Sequence, residues 1–498
     1  MSLQAVSIVY FVGFLAVLLY VAIWSGKKNK TGHQDKATEH FLGGKTTPMF
    51  VLAMSYAASA VSAGSFIGDP GVTSVVGWPY YWFTLSLIPG LVIPGFFIIR
   101  KLRLQSEKYG CMTITEYISV RYHSNFLRWF ISVVMTICLS LVLVSQFKGA
   151  ASLLNRFTGI PFKIGLLVIA AVVIFYTNTG GLRSVAWTDM IQGCLMVVMV
   201  IILICTGLSQ VGWLSGLEMH LAETHPEMLQ IFEAPSRDAQ VDVFGMIGLL
   251  LHPFFVMNGL PYVTSRYLAL PDVNRRTIGR FSLISLITGT LFNAMNILGL
   301  TGRVLMPDGD PDLMTISIAS DYLHPIIAGL CMIGFFAAII STATSILLVI
   351  GQGVGRDIYA MIDRKPGSEA RQIRVSQITN FAVMAVVILF NFWHTPDMLQ
   401  IFIMLGMTGV ASSIIFPLFC GVLWKESRKE AAIVSSIVGP AMLLFSNVVM
   451  HQSWTHQIVI SIVCAFVAMI GVTWILNAIK GVDQEMVKHA TVTMEDIA

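Results

Sequence analysis

The chain has 498 residues, of which 55% are hydrophobic and only 12% charged, and its mean hydropathy is +0.76. These values lie far outside the range of water-soluble domains and describe a polytopic membrane protein. The net charge of +4 reports topology and contact with anionic inner-leaflet lipid, with no sign of nucleic-acid binding.

Segments of roughly 20 apolar residues are long enough to span a bilayer. Thirteen candidates begin near Ser7, Pro48, Trp78, Phe126, Phe162, Val185, Val243, Ile278, Ile326, Val375, Met398, Ala431 and His456. The leading helix, 7–25, has neither a basic n-region nor a small-residue cleavage site and is expected to be retained. After a hydrophilic loop comes Pro48 to Gly71. Its centre, Ala57 to Ser65, consists almost wholly of small residues and hydroxyls. Such a helix suits close backbone approach and interruption better than lipid contact. Asp69-Pro70-Gly71 closes it with turn chemistry, Asp69 being expected as a cap or turn residue. Trp78, Tyr80, Tyr81 and Trp82 open the third span as an aromatic cluster suited to the outer interface. Thr113 to Tyr122 reads as a short amphipathic inner helix. The outer connections Gly212–Asp242 and Arg303–Tyr322 carry helical patterns suited to lids. The seven cysteines contain no CxxC pair, imply neither a disulfide framework nor a metal site, and are expected to be packing residues.

Cytoplasmic loops collect Lys and Arg. With the amino terminus outside and the carboxyl terminus inside, most of the 31 basic residues face the cytoplasm, among them Lys30, Arg183, Arg266, Arg364 and Lys365. Arg237 is one of the few left outside. Two blocks of five spans then stand out, 48–207 and 243–423, followed by two trailing helices within 431–480. Each block begins with an interrupted span, the first at Ala58 to Ser62 and the second at Met257-Asn258-Gly259-Leu260-Pro261. Paired broken segments in two halves point to a transporter of inverted repeats with its site where they meet. The competing reading is a kinked helix in each half by chance.

Four hydroxyls, Ser341, Thr342, Thr344 and Ser345, crowd the ninth span. Ser341, Thr344 and Ser345 share a face, and Thr342 points away toward a neighbour. Hydroxyl and carbonyl oxygens suit a hard cation, whereas single hydroxyls in membrane helices usually bond the carbonyl one turn back. Asp189 is the only acid placed well inside a span, where carboxylates tend to mark ion paths. The alternative for it is an interfacial acid paired with arginine, Arg183 being nearby. His252 is the one histidine within a span. Gln146 and Asn258 are isolated amides, and Gly406-Met407-Thr408-Gly409 loosens the eleventh span.

Several motifs together resemble the sodium:solute symporters: Phe41-Leu42-Gly43-Gly44, Val51 to Ser55, Ser65-Phe66-Ile67-Gly68-x-Pro70-Gly71, Tyr176-Thr177-x-x-Gly180-Gly181, Gly259-Leu260-Pro261, and Ala337-Ala338-Ile339-x-Ser341-Thr342 with Arg356 to Tyr359. Within that family the chain looks most like the sodium/pantothenate branch. The resemblance implies a LeuT-type core of five plus five inverted helices. It also implies a co-transported sodium ion held by the carbonyls of Ala58, Val61 and Ala338 and the hydroxyls of Ser341 and Thr342. By similarity to sialic acid carriers, Asp189, Ser341, Thr344 and Ser345 are expected to hold a second sodium. Proline-type members carry an Asp where this chain has Ala60, so a substrate amine has no obvious counter-ion. Sialic acid carriers place an Arg where this chain has Val142, leaving no mid-depth basic side chain for a carboxylate. A weakly anionic, partly apolar solute such as pantothenate is therefore expected, bound by half-helix amino termini with Ser62 and Ser65 and walled by Tyr81, Gln146, Asn258 and Thr408. An amino acid or sugar is the alternative. A transporter-like sensor would need a signalling domain, which the short stretch after the last span is not expected to hold. A membrane-embedded enzyme would need a nucleophile and base or a metal cluster in the membrane. Sodium-driven uptake across the plasma membrane is expected instead.

Overall fold

The computed structural model describes residues 2–28, 36–232, 241–363, 368–393 and 399–490. Lys30, Arg237, Arg364, Lys365 and Met398 lie outside them. In chain order the helices are α1 (Leu3–Lys28), α2 (Lys36–Leu42) and α3 (Met49–Ala60), then α4 (Gly64–Val76) and α5 (Trp78–Phe97). They continue with α6 (Ile99–Lys108), α7 (Ile114–Arg121), α8 (Asn125–Thr158), α9 (Phe162–Gln210) and α10 (Trp213–Thr224). The next are α11 (Val243–Gly259), α12 (Pro261–Ala269), α13 (Arg275–Leu305), α14 (Met314–Tyr322) and α15 (Pro325–Gln352). The last are α16 (Ser368–Trp393), α17 (Leu399–Leu423), α18 (Lys429–Val448), α19 (Trp454–Lys480) and α20 (Gln484–Ala490).

Ten of these helices are long and apolar enough to cross a membrane, and twelve spans result if each bent pair is one. The thirteenth expected span, from Phe162, is a shorter apolar helix, Phe162–Phe175. It runs into the next span through a kink at Gly181, where φ is 60°. The two bent pairs are the interrupted segments of the sequence. α3 and α4 meet at 58°, and α11 and α12 at 49°.

The second break follows from covalent geometry. Pro261 offers no N–H and forces the residue before it out of the helical region, and Leu260 is extended at φ −94°, ψ 111°. The first break has no proline. Val61 is extended at φ −102°, ψ 148°, and the fresh amino terminus is satisfied from outside the helix. Gln146 Oε1 accepts the Ala63 N–H at 3.0 Å, and Ser62 Oγ accepts that of Gly64 at 3.0 Å. Four carbonyls at the end of α3 lose their helical partners by the same break.

α15 sits at the centre. The most apolar window of its span is 100% buried, against 28% for α1 and 39% for each of α18 and α19. Helices that expose that much apolar surface face lipid. α15 packs against α9, α8, α1 and α3, while α18 and α19 pack on each other and on α17. The short helix α7 is capped by Thr113, which accepts the Glu116 N–H. It is buried along nearly its whole length and packs against α8 and α17.

Candidate functional site

The frayed end of α3 faces the hydroxyl cluster of α15. Ser341 Oγ donates to the carbonyls of Ala58 at 2.9 Å and Ala338 at 3.0 Å. Thr342 Oγ1 donates to those of Val61 at 2.5 Å and Ser59 at 3.3 Å. Ala58, Val61, Ala338, Ser341 and Thr342 are therefore brought together, all buried. Three carbonyl and two hydroxyl oxygens form a neutral donor set that suits a hard monovalent cation. Each hydroxyl keeps lone pairs that rotation can turn toward such an ion.

One turn away the arrangement departs from expectation. Asp189 Oδ2 accepts from Ser55 at 2.7 Å and Ser59 at 3.1 Å. It also pairs with Arg266 Nη2 at 3.1 Å, both side chains being fully buried. The same Nη2 donates to Ser345 Oγ at 2.7 Å and Ser59 Oγ at 2.8 Å, and Nε donates to Ser55 Oγ at 3.2 Å. Arg266, assigned from its charge to an inner loop, is thus an interior side chain of α12, and it, not Arg183, is the partner of Asp189. Of the four residues expected to hold a second sodium, only Asp189 and Ser345 meet, and they meet on a guanidinium. Ser341 turns to Ala58, and Thr344 Oγ1 donates to Ile340 at 2.8 Å and Ser341 at 3.0 Å along its own helix.

A cavity of ≈ 30 Å³ lies beside the break, between α4, α5, α11, α13 and α17, room for roughly a water or two. Ser62 and Ser65 line it. The other four expected wall residues are elsewhere. Gln146 caps α4. Asn258 Nδ2 donates to Gly90 at 3.0 Å and Phe254 at 2.8 Å, and its Oδ1 accepts from Tyr267 at 3.3 Å, so it fastens helices together. Tyr81 packs on Trp78 with ring centroids 4.6 Å apart, and Thr408 is buried in α17 away from the lining.

The cavity is lined instead by Asp69, expected from the sequence as a cap or turn residue, and by His252, Asn293 and Gln400, for which the sequence suggests no role. Asp69 accepts a hydrogen bond from Tyr80; it is a buried cavity residue instead of a turn, and Tyr80 is a core residue instead of part of the outer aromatic belt. An acid four residues beyond the small-residue stretch was the available signal for Asp69. Gln400 and Asn293 carried none, because only the folded packing brings α17 and α13 to the break.

A family model for the sodium:solute symporter family matches residues 40–439. The chain belongs to that family. It is 26% identical over 472 residues to the sodium/pantothenate symporter of Escherichia coli (strain K12), covering 94% of this chain and 96% of that protein. It is 25% identical over 414 residues to a high-affinity proline transporter of Bacillus subtilis (strain 168), covering 82% and 86%. It shares the fold of a substrate-bound, outward-open Na+-coupled sialic acid symporter, with a TM-score of 0.76 at 20% identity over 95% of this chain and 98% of that one. The family's members are transporters and not enzymes, sodium is the co-transported ion, and the protein is a multi-pass plasma-membrane protein.

Proposed function

We propose that the protein couples sodium entry to uptake of a small organic solute by alternating access. The observation that carries this is the meeting of Ser341 and Thr342 on α15 with the carbonyls that the helix break frees at the end of α3, directly beside the cavity lined by Ser62 and Ser65. Sodium bound by Ala58, Val61, Ala338, Ser341 and Thr342 draws α15 and the broken helix together. The solute packs against the other side of the same break. Ion and solute share a coupling free energy, so each raises the other's affinity. The cavity is too tight for a solute as it stands, so loading and release require the surrounding helices to part. We take the blocks 48–207 and 243–423 as the two repeats that rock, with the amino terminus outside and the carboxyl terminus inside, so that sodium enters from the sodium-rich face. A second sodium at Asp189 and Ser345 would have to displace the Arg266 guanidinium, and the proposal therefore rests on the first site.

For the solute, the relatives' names offer pantothenate and proline at nearly equal identity. Pantothenate is the first candidate, being small, partly apolar and rich in hydroxyl and amide N–H groups. Its carboxylate gains less from the half-helix end than the sequence implies, because Gln146 and Ser62 already take the N–H groups of Ala63 and Gly64. Proline is favoured by one observation, the Asp69 carboxylate in the cavity lining, which can serve an ammonium despite Ala60. A thermal-shift screen of vitamins, carboxylates, amino acids and sugars, with and without sodium, tests the reading. A true substrate raises the melting temperature only with sodium present. Stabilisation that is the same in potassium would contradict symport.

A further inference from the structure

We infer that the solute presents a hydrogen-bond-donating head, an ammonium or a hydroxyl, to an acceptor cluster formed by Asp69, Gln400 and His252. This rests on the symport reading and narrows its solute.

The cavity lining is unbalanced in its hydrogen-bonding groups. One Asp69 oxygen receives the Tyr80 hydroxyl. Gln400 is 5% exposed, yet its Oε1 has no partner. The amide lies flat on the second half of the broken helix. A Cβ at Gly64 would collide with Oε1, and one at Gly68 would come within 2.8 Å of the Gln400 Cβ, so only glycines at those positions let the amide reach the cavity. His252 is 2% exposed. Its Nε2 lies 3.4 Å from the carbonyl of Met404, which can only accept, so Nε2 carries the proton and Nδ1 is left as an acceptor, again without a partner. Asn293 donates its amide to Gly289 at 2.9 Å and keeps Oδ1 as a further acceptor.

Against these acceptors the described lining offers as polar donors the hydroxyls of Ser62 and Ser65 and the amide N–H groups of Asn293 and Gln400, that of Asn293 already bonding Gly289, and none of the described lining residues is a Lys or Arg. The remaining wall is apolar: Phe83, Leu87, Leu91, Met257, Ile403 and Met407. Acceptors desolvated without a donor are costly, and a ligand that supplies the donor recovers that cost. A solute with an apolar body and a donating head matches the lining, and one whose only polar group is a carboxylate does not.

The full-length protein in detergent is titrated, with and without sodium, with two matched pairs: proline and N-acetylproline, and pantothenate and its O-acetylated form. The expected result is sodium-dependent stabilisation by at least one unblocked solute, with its blocked partner weaker by about tenfold or more. Asp69→Asn and Gln400→Leu are each expected to lower affinity for that solute by about tenfold or more. A larger loss for proline than for pantothenate in Asp69→Asn identifies an ammonium head, and equal losses identify a neutral donor. Sodium-free melting temperatures of both variants report whether they fold, and Gln400→Leu carries the test if Asp69→Asn does not. Equal binding of blocked and unblocked solutes, or unchanged affinity in a folded variant, overturns the inference and leaves symport standing. If none of the four solutes stabilises the folded wild type in sodium, the symport reading of these solutes fails and takes this inference with it.

Discussion

Ser341 and Thr342 are adjacent, yet they serve different carbonyls of one frayed helix end. Losing either oxygen from the proposed ion site is expected to cost on the order of 1–3 kcal/mol, roughly tenfold to a hundredfold in sodium affinity. Because the proposed ligand is the hydroxyl, Thr342→Ser is expected to keep sodium activation within about threefold while Thr342→Val loses it, as read from uptake against sodium concentration. Arg266 poses a separate question at the same scale. Removing one member of a buried ion pair strands the other charge and costs about 3–5 kcal/mol, whereas replacing both by apolar groups is often nearly neutral. Arg266→Leu is therefore expected to lower the melting temperature strongly, and Arg266→Leu with Asp189→Leu to recover much of the loss. Additive losses would show that the two side chains act independently.

The broken helices explain how much of the site was legible at the level of elements. Pro261 announces the second break by itself, since proline dictates the backbone around it. The first break depends on Gln146, reaching from α8 to cap Ala63, a contact no local pattern contains. Gln146→Leu is expected to weaken solute and sodium binding together, because the cap holds the shape both share; an effect on one ligand alone would place Gln146 elsewhere in the mechanism. The kink in α9 is a second such device. Gly181 has φ +60°, and a Cβ there would lie 2.7 Å from the backbone carbonyl of His40, so Gly181→Ala is expected to destabilise the packing of α2 on α9. Burial of His40 pushes its pKa from 6.5 down to about 4. The unfolded chain then binds the proton first, so stability is full above pH 6.5 and is lost as pH falls toward about 4. His40→Gln should flatten the melting temperature over that window, and an unchanged pH slope would assign the effect to another group.

At the scale of the whole molecule, apolar length and the paired breaks made the helical membrane fold readable, and the hydroxyl run on α15 with the small-residue centre of α3 made readable the meeting of hydroxyls and carbonyls that we propose as the ion site. The wall of the cavity proposed for the solute was not readable, because it is assembled from α4, α5, α11, α13 and α17 and its polar members are single residues scattered over distant spans. The basic-residue pattern that orients the chain also misplaced Arg266, since a charge near a span's end looks the same whether it faces the cytoplasm or turns inward. The central claim is that sodium at Ala58, Val61, Ala338, Ser341 and Thr342 drives the solute. Its most direct measurement is solute accumulation in proteoliposomes under an inward sodium gradient, compared between wild type, Ser341→Ala and Thr342→Ala. Wild type should concentrate the solute, and each variant should need about tenfold or more sodium for half-maximal uptake. Wild-type sodium dependence in both folded variants would contradict the claim.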